Sequence, residues 1–115
     1  MEQVTIGVYG IVGSSFCIGA DDGDLVFQSI QKALKESKSI VLSFQNVEMI
    51  TSAFLNSAIG QLYREFSEET IKKHLTVEKL SKEDVSLLKR VVRTAKLYYA
   101  DPERLNSSIS QVLGE

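Results

Sequence analysis

The sequence predicts a small α/β domain, because short segments of strand character alternate with longer segments of helical periodicity. The nearly continuous apolar run from Ile40 to Phe44 has the length of a strand, and it predicts one buried on both faces at the centre of a sheet. The length fits a single domain over residues 1–115, and the apolar fraction of 43% is sufficient for a core. We expect a sheet with parallel neighbours and helical cover.

The beginning of the chain predicts a hairpin. β-branched and aromatic residues from Val4 to Ile11 predict a strand, and Gly13-Ser14-Ser15 predicts a turn. A short second strand from Phe16 to Ile18 then pairs with the first. The glycines at positions 7, 10 and 13 lack the spacing of a dinucleotide-binding fingerprint, so we assign them to the hairpin.

Two amphipathic helices account for the middle of the chain. The first opens at an acidic cluster, which we expect to cap the helix because it lacks the spacing of a calcium loop: Asp21, Asp22 and Asp24. Its buried stripe is Val26, Ile30, Ala33 and Leu34. The second helix starts at Thr51-Ser52, and its buried stripe is Leu55, Ala58, Ile59, Leu62 and Phe66. We expect close packing against a strand to offset the cost of Gly60 inside this helix.

The rest of the chain predicts one strand and two helices. The alternating segment from His74 to Leu80 predicts a third main strand. Ser81 is the predicted N-cap of the next helix, whose buried stripe is Val85, Leu88, Val92, Ala95 and Tyr99. Asp101-Pro102-Glu103 starts a last helix over residues 101–115, which we expect to be peripheral to the domain.

Composition and charge limit the classes of function. Cys17 is the one cysteine of the sequence, which excludes an internal disulfide or a multi-cysteine metal site and suits a reducing compartment. The formal net charge of −2 argues against broad binding to nucleic acid. The chain has neither a secretory signal at its start nor an apolar run of ~20 residues, so we expect a cytoplasmic protein without a membrane segment.

No group of residues predicts catalysis, a cofactor or a metal site, so we expect a protein that is not an enzyme. Cys17 and His74 would have to meet in space to form a nucleophile and its base, and nothing in the sequence brings them together. A basic cluster on the third long helix is interspersed with acidic residues, as in a solvated helix face: Lys89, Arg90, Arg93 and Lys96. A nucleotide-binding or nucleic-acid-binding module and a small enzyme of unknown reaction remain alternatives.

The junction between the central strand and the second helix is the most informative segment. Its helix begins with the small hydroxylated residues Thr51 and Ser52, where free backbone N–H groups carry partial positive charge. In open α/β sheets, ligands and partners meet the protein beyond the carboxyl ends of the strands. These residues alone support equally a docking site and an ordinary helix cap followed by core residues.

This segment resembles the STAS-like domain family of unknown function, which is related to the bacterial anti-sigma-factor antagonists. The residues that match, best between positions 40 and 66, are Val41, Ser43-Phe44, Val47, Ile50-Thr51-Ser52, Phe54-Leu55-Asn56, Gly60 and Leu62. The resemblance implies a mixed sheet of about four strands flanked by helices. It also implies a regulatory partner, such as a histidine-kinase-like ATPase, that phosphorylates a hydroxyl residue at the helix start.

The chain departs from the antagonists at the phosphorylated position, which falls on Ala53. Ser52 and Thr51 are the remaining candidates for phosphorylation. Phe54 takes the place of a glycine, either as a core residue or as an apolar anchor for a partner. We expect a bacterial regulatory domain that docks its partner through Thr51, Ser52, Phe54 and Asn56.

Overall fold

The computed structural model describes residues 2–100, so the predicted last helix lies outside the described residues. The strands are β1 (Gln3–Gly7), β2 (Phe16–Cys17), β3 (Ser39–Ser43), β4 (Met49–Ile50) and β5 (Leu75–Glu78). The α-helices are α1 (Val8–Val12), α2 (Ala20–Lys35), α3 (Ser52–Leu55), α4 (Leu62–Glu65), α5 (Glu68–His74) and α6 (Lys82–Ala100). A π-helical turn, Asn56–Gly60, lies between α3 and α4. The predicted α/β class is therefore confirmed.

The main sheet has the order β1-β3-β5, and both of its strand pairs are parallel. Its core face carries Ile40 and Leu42 of β3, with Val4, Ile6, Leu75 and Val77 beside them in register. The opposite face carries Val41, which is half-buried between the exposed Thr5 and Thr76. β3 is central as predicted, but the prediction that both of its faces are buried is wrong at Val41.

The predicted hairpin is wrong. The chain leaves β1 at Gly7 and forms the short helix α1, which buries Val8 and closes at Gly13 in a left-handed conformation with φ of 77°. β2 then pairs with β4 in parallel, in a separate two-stranded sheet. The preference of β-branched residues for strands is weak, and packing of α1 against α2 overrides it here.

Helix α2 packs directly on α3 and the π-helical turn. A Cβ atom on Gly23 would meet the carbonyl oxygen of Phe54 at 2.5 Å and Cβ of Ser57 at 2.6 Å, so this contact requires glycine. At Gly60 a Cβ would lie 3.7 Å from that of Ala95 on α6, so the neighbour there is a helix rather than the predicted strand.

The helices differ from the predictions in three respects. The N-cap of α2 is Gly19 without a capping side chain, and Asp21 and Asp22 lie in the first turn, where they favour the helix dipole. The predicted second helix is divided at the π-helical turn, and α5, capped by Ser67, was missed. Ser81 caps α6 as predicted, through the N–H of Asp84 at 3.1 Å.

The buried positions of α6 are Val91 and Ala95. The other residues of its predicted stripe are half-buried: Val85, Leu88, Val92 and Tyr99. This pattern follows from the position of α6, which packs on α3, the π-helical turn and α4 at the rim of the core. Within residues 2–100, no helix has both the length and the apolar character needed to cross a bilayer.

Candidate docking site at the start of α3

Thr51 fixes the junction between β4 and α3. Its side-chain oxygen accepts a hydrogen bond from the backbone N–H of Phe54 at 3.1 Å, which makes it the N-cap of α3. The same hydroxyl donates to the carbonyl oxygen of Ile18, just beyond β2. Thr51 therefore anchors α3 to the small sheet, and both hydrogen-bonding roles of its hydroxyl are occupied.

The residues after Thr51 divide between surface and core. Ser52, Ala53 and Asn56 are exposed. Phe54 and Leu55 are completely buried, at 0% exposure. Of the two roles left open for Phe54, the structure supports that of a core residue, since a fully buried ring is not accessible to a partner. The sequence could not separate the two roles, because an aromatic residue at a helix start suits either.

Two clefts flank Asn56. One of about 350 Å³ is lined by Ser52 together with residues of α6, which are Leu87, Arg90, Val91 and Thr94. The other, of about 600 Å³, lies between α2, the π-helical turn and the end of α6. Its polar residues include Asp24, Ser57 and Gln61, and its aromatic residues are Tyr98 and Tyr99. Asn56 therefore stands on the ridge between two concave surfaces.

A hydrogen-bonded group that the sequence did not reveal joins α2 to the π-helical turn. The hydroxyl oxygen of Ser57 lies 2.7 Å from both the Asp24 carboxylate and the Ala20 carbonyl. Gln61 Nε2 donates to the same carboxylate at 2.7 Å. The hydrogen bonds from Ser57 and then Gln61 lower the pKa of Asp24. The one sign of this group in the sequence was Ser57, a serine next to the apolar stripe residues Ala58 and Ile59.

The thiol and the imidazole lie on separate elements. Cys17 is fully buried in β2, and burial, followed by the charge of Asp22, raises the pKa of its thiol. His74 ends α5, beside β5 of the main sheet, and its Nδ1 is buried with no hydrogen-bond partner among the described residues. A protonated, buried thiol is a poor nucleophile. No cluster of three or more metal-ligating side chains is present in residues 2–100.

The basic cluster of α6 is partly neutralised. Lys96 Nζ lies 2.7 Å from a carboxylate oxygen of Glu68, and this hydrogen bond raises the pKa of Lys96. Lys89, Arg90 and Arg93 are exposed. Arg90 lines the same cleft as Ser52, so one cation of this basic cluster lies near the start of α3.

A family model described as a STAS-like domain of unknown function matches residues 22–85, which is more than half of the chain. The chain belongs to this STAS-like family. No curated protein and no solved structure matches it. In this STAS-like domain the matched segment runs from the first turn of α2 to the first turn of α6, so it includes Thr51, Ser52 and Asn56.

Proposed function

We propose that this STAS-like domain is a non-enzymatic regulatory module that docks a partner protein on the surface of Thr51, Ser52 and Asn56. The observation that carries the proposal is the contrast along α3, where exposed side chains stand on a backbone fixed by the buried Phe54 and Leu55. A surface that is already ordered loses little conformational entropy when a partner binds. Phe54 contributes as the support beneath this surface.

The proposed partner class rests on a resemblance between families. The resemblance to anti-sigma-factor antagonists favours a regulatory protein such as a histidine-kinase-like ATPase. Ser52 is the better of the two phosphorylation candidates, because its side chain is exposed whereas the Thr51 hydroxyl donates to Ile18 and caps Phe54. A phosphate at Ser52 would add about −1.5 to −2 charges to the docking surface. It would also stand at the cleft that contains Arg90.

The test uses a purified histidine-kinase-like ATPase from the source organism. A photo-crosslinking residue at position 52 should cross-link to the ATPase, and one at the exposed position 5, on the open face of the main sheet, should not. Asn56→Arg should weaken binding in a titration at least tenfold, which corresponds to about 1.4 kcal/mol. The matched control Glu69→Arg, at an exposed position of α5, should change the affinity less than twofold.

Two results would contradict the proposal. One is equal cross-linking from positions 5 and 52, which would show that the contact is not specific to α3. The other is an affinity that Asn56→Arg and Glu69→Arg reduce to the same extent. A separate experiment tests whether Ser52 is phosphorylated. The chain and its Ser52→Ala variant are each incubated with the ATPase and ATP and are then analysed by mass spectrometry.

A further inference from the structure

The outer face of the small sheet carries a cluster of large apolar side chains, here called the β2–β4 patch: Phe16, Ile18 and Met49. Their exposed fractions are 51%, 49% and 50%. Phe16 and Met49 are partners in register and share one face, while Cys17 and Ile50 form the buried face. Ile18 lies directly after β2, two residues beyond Phe16, and its side chain is exposed as well. Three adjacent apolar side chains at half exposure are typical of an interaction surface.

Carboxylates lie at both ends of the β2–β4 patch. At the end where the strands begin, Glu48 precedes Met49 and accepts a hydrogen bond from the Ser15 hydroxyl at 2.9 Å. At the other end, Asp21 and Asp22 lie in the first turn of α2. Among the described residues, none of these three carboxylates takes part in an ion pair.

The sequence around the β2–β4 patch has a single sign of charge. Residues 1–31 and 39–63 together contain five carboxylates and no lysine, arginine or histidine: Glu2, Asp21, Asp22, Asp24 and Glu48. The lysines of α2 lie in its second half, away from Asp21 and Asp22. An apolar surface bounded by unpaired carboxylates is complementary to an apolar segment that carries basic residues.

We propose that the β2–β4 patch binds a segment of the partner protein in which large apolar side chains are flanked by lysine or arginine. This inference rests on the proposed function and adds the chemistry of the partner. The Ile18 carbonyl accepts from Thr51, so the patch is continuous with the start of α3.

The same charges decide against two other occupants. A second copy related by a two-fold axis would bring carboxylates against carboxylates, which is repulsive. A nucleic acid would place phosphates against Glu48, Asp21 and Asp22, and phosphate binding requires basic side chains. A basic, apolar protein segment is the occupant whose charge and apolar character both fit.

The probes are two 18-residue amphipathic helical peptides with identical leucine positions, one with lysine and one with glutamate on the polar face. Titration at low salt should show the lysine peptide binding at least tenfold more tightly than the glutamate peptide.

The double variant Phe16→Ser with Met49→Ser should reduce the affinity for the lysine peptide at least tenfold. The double variant Glu48→Lys with Asp22→Lys should reverse the preference between the two peptides. The control pair Glu69→Lys with Glu83→Lys, both exposed, should leave affinity within twofold. Circular dichroism confirms that each variant is folded.

Three results would overturn the inference. They are equal affinity for the two peptides, NMR shift changes that map outside the β2–β4 patch, and a dimer in sedimentation equilibrium that Phe16→Ser abolishes. The outcomes also separate this inference from the proposed function. If the ATPase cross-links to position 52 and the patch variants bind it normally, only the inference fails. If the lysine peptide binds the patch but position 52 does not cross-link, the α3 proposal fails instead.

Discussion

The hydroxyl oxygen of Ser57 lies 2.7 Å from the carboxylate of Asp24, and this contact joins the π-helical turn to α2. It lies beside the closest approach of the two helices, where Gly23 leaves no room for a Cβ against Ser57. The same turn presents Asn56 between the two clefts. The hydrogen bonds of Asp24 therefore help to fix the backbone of the candidate docking site.

The contribution of Asp24 to stability should depend on pH. Hydrogen bonds from Ser57 and Gln61 hold the pKa of Asp24 below its ordinary value of 3.8. A carboxylate with a lowered pKa in the folded state stabilises the fold above its unfolded pKa, and this stabilisation is lost as pH falls through the folded pKa. Asp24→Asn should therefore lower the free energy of unfolding at pH 7, and the difference from the natural chain should shrink below about pH 4.

Urea unfolding at pH 7, 5 and 3 measures this difference. Ser57→Ala provides the control, because it leaves the carboxylate in place but removes the first hydrogen bond that lowers its pKa. It should reproduce part of the pH-dependent loss. A difference between Asp24→Asn and the natural chain that stays constant from pH 7 to pH 3 would contradict the assignment.

Alanine should be tolerated at one of the two buried glycines and not at the other. At Gly23 the new Cβ would lie 2.5 Å from the Phe54 carbonyl oxygen, and this backbone atom cannot rotate away. We expect Gly23→Ala to lower the free energy of unfolding by about 1–3 kcal/mol, as overpacking does. Gly60→Ala meets its nearest atoms at 3.4 Å or more and should change stability by less than about 1 kcal/mol. Equal effects in urea unfolding would show that α2 can move away from α3.

The sequence predicted those elements whose pattern is local. All four residues of the α2 stripe, Val26, Ile30, Ala33 and Leu34, are buried, because a helical face repeats within its own segment. The pairing of β2 joins residues 33 positions apart, Phe16 with Met49, and no local pattern encodes that choice. Helix α1 was missed for a related reason, since its residues favour a strand and only packing makes them helical.

The candidate site was predictable to a similar extent. A cap formed by Thr51 or Ser52 was one of two interpretations left open, because a hydroxyl residue at a helix start has a local hydrogen-bonding role. The group of Asp24, Ser57 and Gln61 was not recognised, because it forms between residues 33 and 37 positions apart. The β2–β4 patch was missed because the strand pairing that creates it was wrongly assigned to a hairpin.

Removal of the Thr51 side-chain oxygen should cost more than removal of an isolated cap. The Ser81 hydroxyl caps α6 through the N–H of Asp84 at 3.1 Å, and Ser81→Ala should lower stability by about 1 kcal/mol. Thr51→Val removes an equivalent cap and also leaves the Ile18 carbonyl without its donor. We expect a loss of about 2 kcal/mol, since both hydrogen bonds are removed. Thr51→Ser should retain most of the stability, and equal losses for Thr51→Val and Ser81→Ala would contradict the double role.

The thiol of Cys17 should be unreactive in the folded chain. Only the thiolate is nucleophilic, and burial followed by the charge of Asp22 raises the pKa of this thiol. Iodoacetamide at pH 8 should therefore alkylate Cys17 at least tenfold more slowly than it alkylates the same chain in urea. A rate in the native chain equal to that in urea would revive the possibility that this thiol takes part in chemistry.

Truncation of two phenylalanines should lower stability by very different amounts. Phe54 is fully buried beneath α3, whereas Phe16 is half-exposed on the β2–β4 patch. Phe54→Ala should lower the free energy of unfolding by about 3–5 kcal/mol, because it removes a buried ring and leaves a cavity. Phe16→Ala should cost less than about 1 kcal/mol, because its ring is half-exposed in the folded chain. Urea unfolding at pH 7 measures both values. A large loss at Phe16 would mean that the ring contributes to the core, and the patch would then no longer qualify as a free surface for a partner.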